Sequence, residues 1–351
     1  MLDPKVVAIR QIADGTHPFD PSWTCADWML EKEIIDSADV LVQGNMLGQK
    51  RRKLNGMYLY IINSGKPWIV LETAVFRNRM KSYPDPDAYH RYGWFSYYWD
   101  EAEYNNWASP PDRWERVQKE QRLKIKPWKK DGDYILLLMQ RPGDSSLKRA
   151  MDKHIKYEHW IVSVLEEIRA NTDRPIVARL HPLRQDRQLK ILESKKDRIG
   201  NLELTGITRT LTTGDQLYGG QSLYKDFAKA WAVVGYNSNA LTESVCEGIP
   251  TFSLDSSSMA WPVSNRYLSD LDNPRRDIHR AQWLWDLAYA QWTETEVANG
   301  KMWEHLGQLW PTIKQTRLDR PDWEAISAEK TKCYQENYID YWIEQAKTNQ
   351  L

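Results

Sequence analysis

Short apolar runs alternate with amphipathic segments along most of this chain. The apolar runs predict buried strands at 5–10, 40–43, 68–71, 134–139, 175–180 and 231–235. Helical spacing of apolar residues predicts helices at 53–62, 154–170 and 282–303. Because strands and helices alternate, the pattern favours an α/β fold with largely parallel sheets.

The same pattern divides the chain into two halves. Segment 122–133 is charged and contains Pro127 and Gly132, which is typical of an interdomain linker. We therefore expect an N-terminal domain at 1–125, a C-terminal domain at 126–310 and a helical segment at 311–351. Residues 77–115 have weak periodicity and many Pro, Tyr, Trp and Asp residues, which predicts a long ordered loop region.

Composition bounds the class of protein. The 351 residues are 41% hydrophobic and 27% charged, which is ample for two packed domains. No apolar run approaches the roughly 20 residues that span a bilayer, and the N-terminus lacks the features of a signal peptide. Cys25, Cys246 and Cys333 are odd in number and far apart, so no disulfide framework is indicated. We expect a soluble, cytoplasmic protein.

Charge and aromatic content leave nucleic-acid binding open without indicating it. The 48 basic and 48 acidic residues balance, so any anionic polymer would need a local basic patch. Lys50, Arg51 and Arg52 and the lysines of 124–130 form such clusters, although most clusters of this kind are solvated faces. The chain has 18 Trp and 5 Phe, and Trp rings suit sugar faces, unstacked bases or ordinary cores.

Segment 230–252 carries the most specific pattern: a strand, a tight loop, a short helix, a Gly-Pro stop and a second strand. Ser238 and Asn239 precede the helix, where capping residues and exposed backbone N–H groups suit a phosphate. Asn239, Glu243 and Glu247 share one helix face, and a carboxylate on it suits a ribose diol. Many doubly wound domains contain a similar turn, so a purely structural role is the alternative.

The position of Glu243, five residues before Gly248-Ile249-Pro250, resembles the C-terminal domain of GT-B glycosyltransferases. That resemblance implies an α/β fold of two Rossmann-type domains facing a central cleft, with a C-terminal helix crossing back onto the N-terminal domain. It also implies that Glu243 binds the ribose of a nucleotide-sugar donor.

A polar loop directly follows the predicted strand at 134–139. Arg141, Gly143 and Asp144 lie in this loop, at a strand end where ligands bind in open α/β sheets. An Arg with loop amides suits a diphosphate, so we predict that these residues bind the donor. The alternative is an ordinary β-to-α turn with a surface Arg.

The predicted strand at 175–180 ends in Arg179-Leu180-His181-Pro182. This R-x-H-P ending resembles capsule-polysaccharide and related phage glycosyltransferases, and it implies that Arg179 and His181 also contact the donor. A lone His is more often structural than catalytic, but the location of His181 at the same sheet edge as Arg141 makes a structural and a functional role about equally expected.

A wider resemblance, over about 68–305, rests on the phrases QRPGDSSL, ARLHP, YNSNALTESVCEGIPTF, SSSMAWPVSN and LAYAQWTETEVANGKMW. These are similar to bacteriophage-encoded glycosyltransferases, including some linked to DNA hypermodification. The resemblance implies a UDP-sugar co-substrate and no tightly bound cofactor. It also implies 5-hydroxymethylcytosine in double-stranded DNA as the acceptor. Acceptor contacts would then come from the clustered basic and aromatic residues of the N-terminal half. They are Lys50, Arg51, Arg52, Trp94 and Trp99.

Transfer to a hydroxyl needs a base near the acceptor oxygen. Glu72, at the end of a predicted strand, is our first candidate and Asp100 is the second, while an ion pair of Glu72 with Arg77 is the structural alternative. The histidines are scattered and no carboxylate pair has metal-site spacing, so we expect no metal. A polysaccharide acceptor, a sugar-nucleotide epimerase and a non-enzymatic binding module are the alternative functions.

Overall fold

The computed structural model describes residues 4–10, 22–27, 31–44, 61, 64–76, 88–147, 157–182, 185–207 and 222–316. These residues form two compact units, which divide between Leu123 and Lys124 and again between His279 and Arg280. Unit 1 contains the described residues outside these two breaks, and unit 2 contains those between them. The first break lies inside the segment that the sequence marks as a linker.

Eleven strands and ten α-helices lie in the described part of the chain. The strands are β1 (Val6–Arg10), β2 (Thr24–Asp27), β3 (Val40–Gly44), β4 (Trp68–Thr73), β5 (Tyr89–Trp94), β6 (Tyr134–Leu138), β7 (Ile176–Arg179), β8 (Leu202–Thr205), β9 (Ala230–Gly235), β10 (Thr251–Ser253) and β11 (Gln291–Thr293). The helices are α1 (Lys32–Asp36), α2 (Asp112–Glu120), α3 (Tyr157–Asn171), α4 (Gln185–Ile199), α5 (Leu223–Lys229), α6 (Ala240–Cys246), α7 (Ala281–Tyr289), α8 (Glu294–Ala298), α9 (Lys301–Leu306) and α10 (Trp310–Thr316).

Unit 1 is built on a mixed sheet with the strand order β11-β5-β4-β3-β1-β2. Strands β1 to β4 pair in parallel, whereas β5 is antiparallel to both β4 and β11. Successive residues point to opposite faces, so Val40 and Val42 join one buried cluster while Leu41 joins the other. Apolar residues on both faces explain why these strands are continuous apolar runs.

Unit 2 is built on a fully parallel sheet with the strand order β10-β9-β6-β7-β8. Its central strand β6 supplies Ile135 to Leu138, all of which are buried. Helix α3 covers one face through a stripe that includes Trp160, Val164 and Ile168. The strand–helix alternation that predicted a parallel α/β fold is confirmed here.

Two segments differ from the sequence prediction. The expected loop region 77–115 contains β5 and the start of α2; the helix buries only Trp114 and Val117, so its apolar periodicity is weak. The expected helix 282–303 is instead α7, β11, α8 and the start of α9. It is interrupted because β11 pairs with β5, and because the Thr293 hydroxyl accepts a hydrogen bond from the Glu296 N–H, which begins a new helix.

The interrupted segment also changes the extent of the C-terminal half. Because β11 completes the sheet of unit 1, residues 280–316 lie in that unit and not in the second half, where the sequence analysis placed residues up to 310. Most of the predicted helix 53–62, the start of the predicted helix 154–170 and the terminal segment beyond 316 lie outside the described residues.

A buried ion pair attaches α8 to α2 within unit 1. The carboxylate of Glu296, which is 4% exposed, accepts hydrogen bonds from Arg113 Nη1 at 2.6 Å and Arg116 Nη1 at 2.9 Å. Burial alone would raise the pKa of Glu296, but the hydrogen bond and charge of Arg113 hold it below its usual value of 4.5. The ionised carboxylate therefore stabilises the folded unit.

Glycine at position 248 has a structural cause. Gly248 has a φ of +74°, and a Cβ added there would lie 2.0 Å from the carbonyl oxygen of Pro127. The chain near Pro127 runs along this turn, because Lys126 N–H donates to Cys246 O at 2.8 Å and Lys129 N–H donates to Gly248 O at 2.7 Å. The Gly of the Gly-x-Pro motif thus permits a close backbone approach.

We expect Glu296→Gln to lower the free energy of unfolding at pH 7 by about 3 kcal/mol, because Arg113 loses its buried partner charge. Since the pKa of Glu296 is lowered by folding, its contribution is present above the usual value of 4.5 and is lost as the pH falls through the folded value. Urea denaturation at neutral pH and below 4.5 measures both effects. The exposed Glu115→Gln is the matched control, and an equal loss in both variants would contradict the prediction.

We expect Gly248→Ala to lower the free energy of unfolding by about 3 kcal/mol or more, because steric overlap with Pro127 adds to backbone strain. Gly143→Ala is the control, since Gly143 has a φ of +76° but nothing within 4 Å of an added Cβ. The control variant should lose only about 1–2 kcal/mol in chemical denaturation. Equal losses would show that the contact with Pro127 contributes nothing.

Candidate functional site

The strand order of unit 2 reverses beside β6. Strands β7 and β8 follow on one side of β6, and β9 and β10 follow on the other. The loops after β6 and β9 therefore leave neighbouring strands at the same sheet edge. In open α/β sheets this reversal opens a crevice in which ligands bind.

One amide side chain connects the loops at this edge. The Asn237 side chain, directly after β9, accepts a hydrogen bond from Gln140 Nε2 at 2.6 Å. It donates to Ser146 O at 3.1 Å and to Ser257 Oγ at 2.9 Å. Three loops, which follow β6, β9 and β10, are therefore joined at one residue.

A buried carboxylate supports the third of these loops. Asp255 is fully buried, and it accepts hydrogen bonds from Tyr236 Oη at 2.6 Å and from the Ser257 N–H at 2.9 Å. The hydrogen bond from the Ser257 N–H to Asp255 holds Ser257 where its hydroxyl accepts from Asn237. The connection between the loops is thus anchored in the core of unit 2.

Glu243 lies in α6 and is almost buried. It is 9% exposed, and Tyr224 Oη in α5 donates a hydrogen bond to its Oε2 at 2.8 Å. Burial, then the charge and the hydrogen bond of Glu243, raise the pKa of Tyr224. The phenol therefore stays protonated and fixes the orientation of the carboxylate.

Ser238 and Asn239 lie at the start of α6 and are half-buried. Ser238 Oγ accepts a hydrogen bond from the Ala240 N–H at 3.3 Å, so part of its capacity serves the turn. Asn239 occupies the N-cap position without a capping hydrogen bond from its side chain. Their predicted contact with a phosphate stays a prediction.

The loop after β6 holds Arg141 at the same sheet edge. Arg141 is half-buried, and its Nε is buried without a hydrogen-bond partner. Asp144 N–H donates to Arg141 O at 3.0 Å and Asp144 Oδ1 accepts from the Ser146 N–H at 3.0 Å, which closes the loop. Gly143 is exposed between them.

Arg179 has a structural partner. Its Nη1 is hydrogen-bonded to Oδ2 of Asp226, a residue of α5 that is 1% exposed, and Thr205 Oγ1 lies 3.1 Å from Oδ1 of the same carboxylate. A buried carboxylate needs such a cation, because an unpaired charge is costly. Arg179 thus has a structural role, and its predicted contact with the donor stays a prediction.

His181 is held at the end of β7 by Gln188. The His181 N–H donates to Gln188 Oε1 at 2.9 Å, and Gln188 Nε2 donates to His181 O at 3.1 Å. Gln188 is fully buried, so it fixes the backbone at this strand end. The backbone of the half-buried His181 is therefore fixed at the carboxyl end of β7.

The residues predicted for catalysis lie in unit 1. Glu72 is half-buried in β4, and its Oε1 accepts hydrogen bonds from the Thr73 N–H at 2.7 Å and Thr73 Oγ1 at 3.0 Å. Asp100 is exposed in a turn after β5. Arg77, the alternative partner of Glu72, lies outside the described residues.

The predicted acceptor residues fall into three groups. Lys50, Arg51 and Arg52 lie outside the described residues. Trp94 is fully buried and donates to Leu306 O at 3.0 Å, so it packs in the core and offers no ring face for stacking. Trp99 is half-buried, with its ring centroid 6.1 Å from that of the exposed Trp107.

Sequence reasoning did not single out Asn237, Gln188 and Tyr224 as site residues. Asn237 stood in the polar run after β9, but that run suggested helix capping and not a bridge between loops. Tyr224 contacts Glu243 across 19 positions, and Gln188 contacts His181 across seven. Neither spacing has a local signature.

In the part of the chain that the structure describes, no helix is long and apolar enough to cross a membrane. Within the same residues, no group of three or more His, Cys, Asp and Glu side chains is arranged to hold a metal ion.

Several solved structures resemble this chain at low sequence identity. KpsC β-Kdo 2,4 transferase of Thermosulfurimonas dismutans is 11% identical, with 83% of this chain and 92% of that chain covered and a TM-score of 0.50. The β-Kdo 2,7 transferase of the same KpsC is 15% identical, with 87% and 99% covered and a TM-score of 0.48.

UDP-GlcNAc 2-epimerase of Neisseria meningitidis is 12% identical, with 79% of this chain and 78% of that chain covered and a TM-score of 0.25. No protein-family model matches this chain, and no curated protein matches it. The fold assignment rests on the first of the three structures. The chain has an α/β fold with two Rossmann-type units, one on a mixed and one on a parallel sheet, and this fold is similar to that of the KpsC β-Kdo 2,4 transferase structure.

Proposed function

We propose that this chain is a glycosyltransferase that moves a hexose from a nucleotide sugar, of the UDP-glucose type, to a hydroxyl acceptor. The observation that carries the proposal is the reversal of strand order beside β6 in unit 2. Arg141 follows one of the two strands there, and the Asn237 loop that begins the helix of Glu243 follows the other. A cation and an oriented carboxylate at one sheet edge suit the diphosphate and the ribose of a donor.

The ribose contact is assigned to Glu243. Its carboxylate is held by Tyr224, and ionised carboxylates accept hydrogen bonds from hydroxyl groups strongly. A diol presents two such donors in a fixed geometry. An almost buried position raises the energetic value of each bond because water competes little.

In this proposal Arg141 binds the diphosphate, and the exposed loop at Gly143 and the side chain of His181 also contact the donor. Arg141 Nε is a buried donor without a protein partner, so a ligand oxygen would satisfy it. In the transfer step the acceptor oxygen bonds to the anomeric carbon as the bond to the diphosphate breaks. A guanidinium then stabilises the negative charge on the leaving group.

The acceptor hydroxyl must lose its proton, and Glu72 of unit 1 is our proposed base, with Asp100 as the second candidate. The carboxylate of Glu72 is oriented through Oε1 by two hydrogen bonds from Thr73. A general base of this kind needs only to come within hydrogen-bond reach of the hydroxyl.

For the acceptor, we propose 5-hydroxymethylcytosine in DNA, on the strength of the sequence resemblance. The partly exposed pair Trp99 and Trp107 would suit an extruded base or a sugar ring. A polysaccharide hydroxyl is the second candidate. It is favoured by two lysines of 124–130: Lys126 pairs with Glu247, and Lys129 Nζ donates to Ala228 O at 2.8 Å, so both side chains are engaged within the protein and not extended toward a phosphate.

We expect Glu243→Gln to weaken the binding of a UDP-sugar by roughly tenfold to a hundredfold, because a hydrogen bond to a charged group contributes about 1.5–3 kcal/mol. Isothermal titration with UDP-glucose measures the change. Glu247→Gln, one turn later on the same helix and paired with Lys126, is the matched control and should bind like the wild type. Equal affinity of both variants would remove Glu243 from the donor site.

For the acceptor, we would incubate the protein with mixed UDP-sugars and duplex DNA carrying 5-hydroxymethylcytosine or cytosine, and analyse the nucleosides by mass spectrometry. The expected product is a hexose on the hydroxymethylated base alone. Sugar binding without any DNA adduct would contradict the DNA acceptor and favour a polysaccharide. A UDP-sugar that is rearranged without any acceptor would instead indicate an epimerase.

A further inference from the structure

Polar side chains cluster on one face of the sheet of unit 1, near the edge where β3 and β4 end. Strand register places Glu72, Arg91 and Gln291 side by side on β4, β5 and β11. Gln43 of β3 is paired with Val70, which lies on the same face as Glu72 because it is two residues earlier in β4. The same face also carries buried apolar side chains, among them Leu41 and Val70, so the polar cluster lies against an apolar core.

Arg91 is the central member of the cluster, and although Glu72 lies opposite it in the strand register, no carboxylate of the described residues is within ion-pair distance of its guanidinium. It is 4% exposed, and its Nε is buried without a hydrogen-bond partner. Across the strands, Glu72 Oε1 accepts its hydrogen bonds from Thr73, and no ion pair joins Arg91 to another described residue. The Arg91 Cζ lies 5.5 Å from the centroid of the Tyr97 ring. A buried guanidinium in such surroundings costs free energy until an anion reaches it.

Two neutral groups on the same face also lack partners. Gln43 is fully buried, and both its Oε1 and its Nε2 are without hydrogen bonds. Tyr104 is 2% exposed, and its hydroxyl is likewise unpaired. The Tyr104 ring lies over Gly93, because a Cβ added to Gly93 would be 2.7 Å from Tyr104 Cε1. Gly93 pairs with Val70 of β4, and Val70 pairs on its other side with Gln43 of β3.

The protonation of Tyr104 makes it a donor. Burial raises the pKa of Tyr104, while the positive charge of Arg91 lowers it by a smaller amount. Tyr104 packs against Gly93, which lies two residues after Arg91 on the same face of β5. A guanidinium, an amide and a phenol thus offer N–H and O–H groups on one face. A neutral hydroxyl would satisfy the amide and the phenol, but only an anion would also compensate Arg91.

We propose that Arg91, with Gln43 and Tyr104, binds a carboxylate or phosphate group of the acceptor on the sheet of unit 1. The proposal rests on the proposed function only in assigning the anion to the acceptor. It implies that the acceptor is recognised by charge as well as by its hydroxyl, and that a neutral sugar alone binds weakly. Bidentate contact with the guanidinium would give the geometric selection.

The test is the thermal stability of the full chain with glucuronate, glucose 6-phosphate or glucose. We expect a saturable rise in Tm with glucuronate or glucose 6-phosphate and none with glucose, since an anion that binds only the folded state stabilises it. The responding compound identifies the group as carboxylate or phosphate. No response to either anion would overturn the proposal.

Variants separate binding from folding. Arg91→Met should abolish the response, or weaken affinity roughly tenfold or more, while the Tm without ligand is unchanged or higher, because an unpaired buried charge is removed. Arg113→Met is the matched control; it should lower the Tm, because Arg113 is ion-paired with Glu296. If Arg91→Met instead lowers the Tm like Arg113→Met and keeps the anion response, Arg91 is structural.

Glu243→Gln distinguishes this proposal from the proposed function. It should weaken UDP-sugar binding roughly tenfold to a hundredfold and keep the response to the anion, because Glu243 belongs to unit 2 and Arg91 to unit 1. An anion response that persists when no UDP-sugar binds to the wild type would support the subsite and contradict the transferase. If the wild type binds a UDP-sugar but shows no response to either anion, the subsite is contradicted and the transferase is supported.

Discussion

The geometry of the candidate donor site depends on the hydrogen bonds of one side-chain amide, that of Asn237, at the edge of a sheet. Loops at such an edge have few regular backbone partners, so side chains must fix them. Asn237 joins three loops, and Asp255 and Tyr236 extend the connection into the core. The positions of Arg141 and of α6 therefore follow from packing inside unit 2 rather than from the loops alone.

Strands buried on both faces could be predicted because their signal is local. The runs that form β3, β4, β6, β7 and β9 are apolar at nearly every position, and the sequence locates all five. Strand β5 was missed because His90, Arg91 and Gly93 interrupt its apolar pattern. Gln291 to Thr293 continue the helical spacing of α7, and only pairing with β5, two hundred positions earlier, makes them a strand. Long-range pairing overrides local preference here.

The candidate site shows the same limit at the level of single residues. The Arg at the end of β7 has the sequence appearance of a ligand contact, yet its partner is Asp226, 47 positions later. The position of Glu243 could be predicted from its spacing to Gly248, whereas its hydrogen bond to Tyr224 could not. The cluster around Arg91 could not be predicted from the sequence. Its members meet only through the pairing of β5 and β11 with β4, and the sequence pattern predicts neither β5 nor β11 as a strand.

The return of residues 280–316 to unit 1 sets an order of events during synthesis. The described part of unit 2 lies between 124 and 279, so it emerges from the ribosome before β11 does. Until then β5 lacks a neighbour on one side, and Trp94 lacks the carbonyl of Leu306. An exposed strand edge is a site for wrong pairing between chains. The sheet of unit 1 is thus completed only after residues 124–279 of unit 2 have been synthesised, because it needs β11.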